Sequence, residues 1–135
     1  MRTLRVQTKS RTELVDVTAR LAEALEESGL RQGMLTAFVP HTTAGITINE
    51  NADPSVRHDL ESALDRLVPA DWSYAHLEGN ADAHIKATLL GSSVTIPVED
   101  GRLQLGTWQG IYFAEFDGPR QRSLWVQVSR GLEAE

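Results

Sequence analysis

The stretch from Ser93 to Phe116, SVTIPVEDGRLQLGTWQGIYFAEF, sets the fold class because its apolar residues recur with a period of two. This period is typical of half-buried strands, whose successive side chains point to opposite faces of a sheet. The turn-forming residues EDG at 99–101 predict a hairpin between two such strands. After a second turn at DGPR, 117–120, the segment SLWVQVS at 123–129 predicts a closing strand.

Upstream of this stretch, strand-like and helix-like periodicities alternate. Asp53 and Pro54 are typical of a helix start, since aspartate caps a first turn and proline fits the first helical position. Helices in the first half and consecutive strands in the second predict an α+β fold with largely antiparallel pairing, rather than a doubly wound α/β fold. The predicted upstream elements are strands at 3–8, 33–40 and 38–51, and helices from Asp16 to Gly29, over 52–68 with the apolar stripe Val56, Leu60, Leu64 and Leu67, and from near Asn80 or Asp82 to Gly91.

Composition narrows the class of protein. With 135 residues, 41% of them hydrophobic, the chain is expected to form one domain over 1–135. The absence of cysteine removes disulfides, thiolate metal sites and cysteine nucleophiles. A net charge of -6 argues against general nucleic-acid binding, because phosphates need an excess of cations. No signal peptide or run of membrane-spanning length occurs, so we expect a cytoplasmic protein without a membrane partner.

The four histidines are not equivalent. His58 lies beside charged residues in a predicted helix, which favours a surface position, whereas His41, His76 and His84 lie at element boundaries. In the first turn of the third helix, the helix dipole disfavours a protonated imidazole at His84. A neutral imidazole suits a Zn²⁺-like metal or a hydrogen-bond donor site. The alternative, a histidine that only hydrogen-bonds a nearby loop, is equally compatible with the sequence.

A three-histidine metal site is one hypothesis for these residues. His76 and His84 are eight residues apart and match no short zinc motif, so a third ligand would have to come from His41. Three histidines with an open fourth position are a common arrangement of catalytic zinc. The spacing permits this site without demonstrating it.

Two carboxylates are candidate acid–base groups, Glu50 and Glu115. Glu115 ends an apolar strand, where an unpaired buried charge would be costly. Arg120, across the turn at 117–119, is the nearest cation in sequence, so an Arg–Glu pair that braces the hairpin is the structural alternative to a catalytic Glu115. No GxGxxG, Walker A or serine-elbow pattern occurs, which leaves nucleotide-loop and serine-hydrolase functions without support.

Four motifs in order resemble the YjbQ-like family of small bacterial and archaeal proteins: HTTAGITINEN at 41–51, DP at 53–54, HLEGNADAHIKATLLGSS at 76–93 and GTWQGIYFAEFDGPR at 106–120. The resemblance implies a compact antiparallel β-sandwich of jelly-roll-like character with two to three packed helices. It also implies a homotrimer with pockets near subunit boundaries. The family's usual annotation is a secondary thiamine-phosphate synthase activity. Its polar motif positions fall on His41, Thr42, Thr43, Asn49, Glu50, His76, His84, Lys86, Gln109, Glu115 and Arg120.

The resemblance suggests two classes of function. The first is an enzyme acting on a small phosphorylated or heterocyclic metabolite, with zinc on the histidines and Glu50 or Glu115 moving a proton. In this hypothesis, thiamine-phosphate synthesis is a side activity of the enzyme. The second is a non-catalytic trimeric binder of a metal or a small anionic metabolite. Lys86 and Arg120 would suit a phosphate, and we expect the remaining ligand-binding residues to be Thr42, Thr43, Asn49 and Gln109.

Overall fold

The computed structural model describes residues 1–131, so the last four residues of the predicted domain lie outside the described range. The elements are β1 Arg2–Gln7, β2 Glu13–Asp16, α1 Thr18–Ser28, β3 Gly33–Phe38, β4 Ala44–Glu50, α2 Pro54–Leu67, α3 Ala81–Leu90, β5 Ser93–Glu99, β6 Arg102–Leu103, β7 Gln109–Glu115 and β8 Gln121–Arg130. The described strands form a five-stranded sheet, ordered β1-β8-β3-β5-β6, and a three-stranded sheet, ordered β2-β7-β4. Every strand pair is antiparallel, which confirms the predicted α+β class.

The two sheets enclose the main core. Alternate residues of each strand point into it, as the period of two predicted, and α1 adds apolar side chains at one edge. A smaller core lies on the other face of the three-stranded sheet, under α2 and α3. The main core contains Leu35, Ala37, Leu124 and Val126 opposite Ile46, Ile111 and Phe113, and the smaller one contains Leu14, Ala83, Ala87, Tyr112, Ala114 and Phe116.

The capping interactions confirm the predicted start of α2 and end of α1, whereas the N-cap of α1 is Val17, without a side-chain cap, rather than the predicted Asp16. The Asp53 carboxylate accepts a hydrogen bond from the Ser55 amide, and Pro54 occupies the first position of α2. The Asp16 carboxylate accepts from the Thr18 amide, and Gly29 ends α1 with φ 73°. The apolar stripe of α2 is only partly right, because Leu67 is 74% exposed. Within the described residues, no helix is long and apolar enough to cross a membrane.

The long strand predicted to run from 102 to 116 is divided between the two sheets. Only β6 pairs with β5, while β7 pairs with β2 and β4 in the other sheet. A turn separates them, in which the Gln109 amide donates to the Gly106 carbonyl and the Gly106 amide donates to the Gln109 side chain. The edge strand β2 was not predicted, because its four residues precede a helix cap that dominates the local pattern.

A close approach between β4 and α3 shapes the region around the predicted histidines. The Ile46 amide donates to the Gly91 carbonyl at 3.1 Å. A Cβ atom at Gly45 would lie 2.8 Å from that same carbonyl oxygen, closer than real contacts allow. Glycine at position 45 therefore lets the C-terminal end of α3 lie directly on the strand.

Candidate functional site

A cleft opens where the chain passes from β3 in one sheet to β4 in the other. It has two adjoining chambers of about 450 and 470 Å³. We name the first the cationic chamber, defined by His41, Thr42, Thr43, Ser92, Arg120 and Arg122. We name the second the histidine chamber, defined by His41, Thr42, His84, Thr88, Gly91 and Ser92. Larger cavities of 630 and 800 Å³ surround Arg31 and contain none of the predicted site residues.

Arg122, held in a buried ion pair, forms the floor of the cationic chamber. Arg122, 2% exposed, donates from Nε to both Glu115 oxygens at 2.9 and 3.1 Å, and its Nη2 also contacts Glu115. The same Nη2 donates to the Thr43 hydroxyl at 2.9 Å. Nη1 has no hydrogen bond to any residue between 1 and 131, which leaves it as the donor available to a ligand in the chamber.

Glu115 is bound on all sides and does not line the cleft. The Thr8 hydroxyl donates to it at 2.7 Å, and the Phe116 and Asp117 amides donate at 3.1 Å. Burial alone would raise the pKa of Glu115, but the hydrogen bonds from Arg122 and Thr8 outweigh burial and hold this pKa below its usual range. A carboxylate that stays ionised and fully bonded is suited to holding Arg122 in place.

The expected partner of Glu115 was wrong. Arg120 pairs with Asp117, with 3.0 Å between Nη2 and Oδ2, while Arg122 pairs with Glu115. Arg120 lies in the turn before β8, so its side chain remains at the surface. Arg122 is the second residue of β8 and its side chain points into the protein. Sequence proximity selected the wrong arginine because Arg120 lies in the turn before β8, whereas Arg122 lies within the strand, on its buried face.

His41 stands at the junction of the two chambers. Its Nε2 accepts a hydrogen bond from the Ser123 amide at 2.9 Å. Burial lowers the pKa of His41, and the charge of Arg122 lowers it further, so the ring is neutral near pH 7. A neutral ring with an accepting Nε2 carries its proton on Nδ1. His41 therefore presents a hydrogen-bond donor, and neither nitrogen offers a free lone pair to a metal.

Of the other two predicted metal ligands, His84 lines the histidine chamber and His76 lies beyond it. The ring centroids of His76 and His84 are 5.3 Å apart at an interplanar angle of 82°. His84 is in the first turn of α3, whereas His76 lies in the preceding loop with Nε2 3.7 Å from a Glu78 oxygen. No three histidine or carboxylate side chains converge as a metal cage in the described part of the chain. The three-histidine metal site stays a prediction, and in this geometry His41 does not fit it.

Four further predicted residues lie away from the cleft. Lys86 is fully buried, and its Nζ donates to Asp65 at 2.6 Å and to Asp82 at 3.2 Å. Asn49, Glu50 and Gln109 lie at the opposite end of the seven-residue β4 from Thr43. At about 3.3 Å per residue this distance is about 20 Å. One chain therefore does not bring Glu50 to the histidines. His58 is exposed on α2, as expected.

Sequence reasoning missed Arg122, Ser92 and the Ser123 amide. A signal for Arg122 was present, because in SLWVQVS the apolar residues Leu124 and Val126 alternate with polar ones. Extending that parity backwards places Arg122 on the buried face, where a charged residue needs a partner. The contributions of Ser92 and Ser123 depend on backbone positions contributed by distant elements and had no local signal.

Comparisons with known proteins agree over nearly the whole chain. The family model described as "UPF0047 protein YjbQ-like" matches residues 2–131. A UPF0047 protein of Methanocaldococcus jannaschii is 56% identical over 123 residues, covering 91% of this chain and 89% of the relative. The UPF0047 protein YugU of Bacillus subtilis is 47% identical over 131 residues, covering 95% and 98%. The names of these relatives state no activity.

Solved structures show the same fold. An uncharacterised conserved protein of Clostridium acetobutylicum matches with a TM-score of 0.94 at 50% identity, covering 96% of this chain and 100% of that one. A protein of unknown function from Sulfolobus solfataricus matches with a TM-score of 0.90 at 35% identity, covering 94% of each chain. The matched range of the sequence contains every residue that defines the cleft.

Proposed function

This chain belongs to the YjbQ-like UPF0047 family, a family of unknown function, and from its cleft we propose that it binds the phosphate group of a small metabolite. The observation that carries this proposal is Arg122, a buried guanidinium with Nε and Nη2 engaged and Nη1 available in the cationic chamber. Charge-assisted hydrogen bonds from arginine are among the strongest available to an oxyanion.

The rest of the chamber supports an anion rather than a cation. Arg120 adds a second positive charge, and the neutral His41, which lines the same chamber, carries an N–H group on Nδ1. The hydroxyl groups of Thr42 and Ser92 can donate to phosphate oxygens. A metal ion placed here would meet two guanidinium groups and no carboxylate that is free to balance it.

Binding of inorganic phosphate, followed by isothermal titration calorimetry, tests the proposal. We expect wild type to bind phosphate and Arg120→Gln to bind about tenfold more weakly, since a charge-assisted hydrogen bond contributes about 1.5–3 kcal/mol and Arg120 is partly exposed. Arg122→Lys keeps the charge but loses the planar fork, and we expect a larger loss. Arg66→Gln, exposed on α2, is the matched control. Unchanged affinity in both chamber variants would refute the proposal.

We also propose that the chain assembles as a homotrimer. The segment 67–89 exposes five large apolar side chains beside His76 and His84, and a neighbouring copy would remove them from water. Such a contact could bring Glu50 of another copy towards the cleft, which a single chain does not do. The exposed side chains are Leu67, Trp72, Leu77, Ile85 and Leu89.

A metal-assisted enzyme is the second candidate function. The 5.3 Å ring contact between His76 and His84 favours it, because two imidazoles that close can contribute to one zinc site. The remaining ligands would come from a second copy. Elemental analysis of untagged protein tests this candidate: we expect one zinc per chain, lost in both His76→Ala and His84→Ala. Absence of metal from wild type would remove it.

Thiamine-phosphate synthesis is best regarded as one reaction within this enzyme hypothesis. It joins a pyrimidine pyrophosphate to a thiazole phosphate, and the diphosphate usually needs a carboxylate-rich Mg²⁺ site. The cleft offers arginine, histidine and hydroxyl groups instead. We expect slow thiamine phosphate formation, abolished in Arg122→Lys, when purified protein is supplied with both substrates and Mg²⁺. Product formed equally by wild type and variant would assign the activity to a contaminant.

A further inference from the structure

The two chambers of the cleft differ in charge but are continuous with each other. They share His41, Thr42 and Ser92, so one ligand can occupy both. Among the described residues, the cationic chamber is lined by two arginines, whereas the histidine chamber is lined by no lysine, arginine, aspartate or glutamate. A ligand that fills the cleft should therefore carry its negative charge at one end only.

The walls of the histidine chamber are rich in hydrogen-bonding groups. Thr42, Thr88 and Ser92 contribute hydroxyl groups, and His84 contributes an imidazole, against only Ala87 and Gly91 as apolar surface. The Thr88 hydroxyl donates to the His84 carbonyl at 2.9 Å, which leaves its oxygen lone pairs to accept from a ligand. Thr42, Thr88 and Ser92 are exposed, so a bound ligand displaces water from their hydroxyl groups and loses affinity unless it replaces those hydrogen bonds. The chamber thus favours a hydroxylated organic group over an aromatic or aliphatic one.

We propose that the ligand is a small hydroxylated phosphate monoester, of the sugar phosphate or polyol phosphate class, that spans both chambers. Its phosphate contacts Arg122 and Arg120, and its hydroxyl groups contact Thr88 and His84. This inference rests on the proposed phosphate-binding function and adds the identity of the organic group. The chamber volumes of about 450 and 470 Å³ suit a ligand of this size.

His41 has a particular place in this arrangement because both chambers include it. The Ser123 amide holds its Nε2 at 2.9 Å, so the ring is oriented by the backbone and its Nδ1–H can donate to a ligand. In a ligand that spans both chambers, the atom at their junction is the one that links the phosphate to the organic group. In a phosphate monoester that atom is the bridging ester oxygen, which can accept this hydrogen bond. Inorganic phosphate lacks the organic part and fills only one chamber.

Calorimetric titrations with five probes test the inference: inorganic phosphate, ribose 5-phosphate, glycerol 3-phosphate, phenyl phosphate and ribose. We expect ribose 5-phosphate or glycerol 3-phosphate to bind at least tenfold more tightly than inorganic phosphate. Phenyl phosphate, whose organic group cannot bond the chamber hydroxyls, should bind no more tightly than inorganic phosphate. Ribose without phosphate should show no binding.

A near-isosteric variant checks the location of the organic group. In Thr88→Val, the affinity for the tighter hydroxylated monoester should fall about fivefold to tenfold, since a hydrogen bond to the lost hydroxyl contributes about 1 kcal/mol. The affinity for inorganic phosphate, which does not reach the histidine chamber, should change less than twofold. Thr107→Val, in the exposed turn before β7, is the matched control and should bind every probe as wild type does.

The outcomes separate this inference from the proposed function. If inorganic phosphate and all three monoesters bind equally, the phosphate site stands and the hydroxylated monoester is refuted. Tighter binding of phenyl phosphate than of both hydroxylated monoesters would also refute it. If no phosphate-containing probe binds to wild type, or if ribose binds as tightly as ribose 5-phosphate, the phosphate-binding function itself fails.

Discussion

At the scale of single residues, the position of Arg122 depends on groups that never reach the cleft. Its charge is buried, which would be costly without the ionised Glu115 and the Thr43 hydroxyl. Those two residues occupy Nε and Nη2 and so determine which nitrogen faces the chamber. Glu115 is therefore a positioning residue, and its effect on ligand binding should pass through Arg122.

Glu115→Gln should destabilise the protein by about 3–5 kcal/mol, because removing one partner leaves Arg122 as an uncompensated buried charge. Urea unfolding at pH 7 measures this change, and Glu23→Gln on the exposed face of α1 should stay within about 0.5 kcal/mol of wild type. The pKa of Glu115 lies below its ordinary value of 4.5 in the folded state. Its contribution is therefore present above pH 4.5 and is lost as pH falls through the folded value. An equally stable variant at pH 7 would contradict the anchoring role.

Anion affinity should depend on pH through His41. Its pKa lies below the ordinary 6.5, and a bound anion favours the protonated ring, so affinity should rise as pH falls from 7.5 towards 5. The charged groups that act on this ring are Arg122, Arg120 and Glu115, and the lowered pKa of Glu115 keeps that carboxylate ionised throughout the window. Sulfate is the probe, because its charge is constant there.

His84 lines the same chamber as His41, so two variants are needed to assign the pH effect to one histidine. His41→Asn should bind sulfate with a nearly flat profile, while His84→Gln should retain most of the rise. A pH dependence that survives in His41→Asn and disappears in His84→Gln would refute the assignment of the pH effect to His41.

At the scale of elements, the contact of α3 with β4 builds the histidine chamber. Gly91, at the end of the helix, bonds Ile46 and lines the chamber, and the absence of a side chain at Gly45 permits this contact. The helix layer is otherwise loosely covered, since no residue of α2 is fully buried. The chamber wall thus depends on one close backbone approach.

Gly45→Ala should destabilise the protein by about 1–3 kcal/mol, because the new Cβ would overlap the Gly91 carbonyl oxygen and push α3 away. Thermal unfolding measures the stability, and titration with ribose 5-phosphate measures ligand binding in the chamber. Gly106→Ala is the matched control, because its Cβ would meet only the flexible Gln109 side chain. Equal stability losses in the two variants would show that the approach to α3 is not the limiting contact.

At the scale of the whole molecule, a single chain exposes apolar side chains and also predicted polar residues that do not reach its own cleft. Leu77 is 97% exposed in the loop that contains His76. Asn49, Glu50 and Gln109 form a second polar group at the far end of β4. In the proposed trimer, a neighbouring copy would cover the loop that contains Leu77. Asn49, Glu50 and Gln109 would lie beside the cleft of a neighbouring copy.

Sedimentation velocity should show a trimer in wild type and a shift towards monomer in Leu77→Lys, because a charge would be placed in the apolar contact. Glu23→Gln, on the exposed side of α1, should remain trimeric. Circular dichroism checks that Leu77→Lys is folded. We expect it to fold, because the Leu77 side chain makes few contacts in the monomer. A monomeric wild type at micromolar concentration would refute the proposed assembly.

The chain alone determined the local elements, because hydrophobic period and capping chemistry act within a few residues. Asp53 with Pro54 defined the start of α2, Gly29 defined the end of α1, and the period of two defined the strands. The family motifs also identified His41 and Arg120, which line the cleft. Lys86 matched the same motifs but lies in a buried ion pair, since its helix turns it away.

The tertiary structure alone decided which residues of different elements meet. It placed β6 and β7 in different sheets, chose Arg122 over Arg120 for Glu115, and brought the Ser123 amide to His41. These contacts depend on where whole elements are placed, whether the residues are seven apart, as Glu115 and Arg122 are, or 82 apart, as His41 and Ser123 are. The alternation in β8 indicates that Arg122 is buried, but its partner and the other contacts are selected by the free energy of packing the two sheets together.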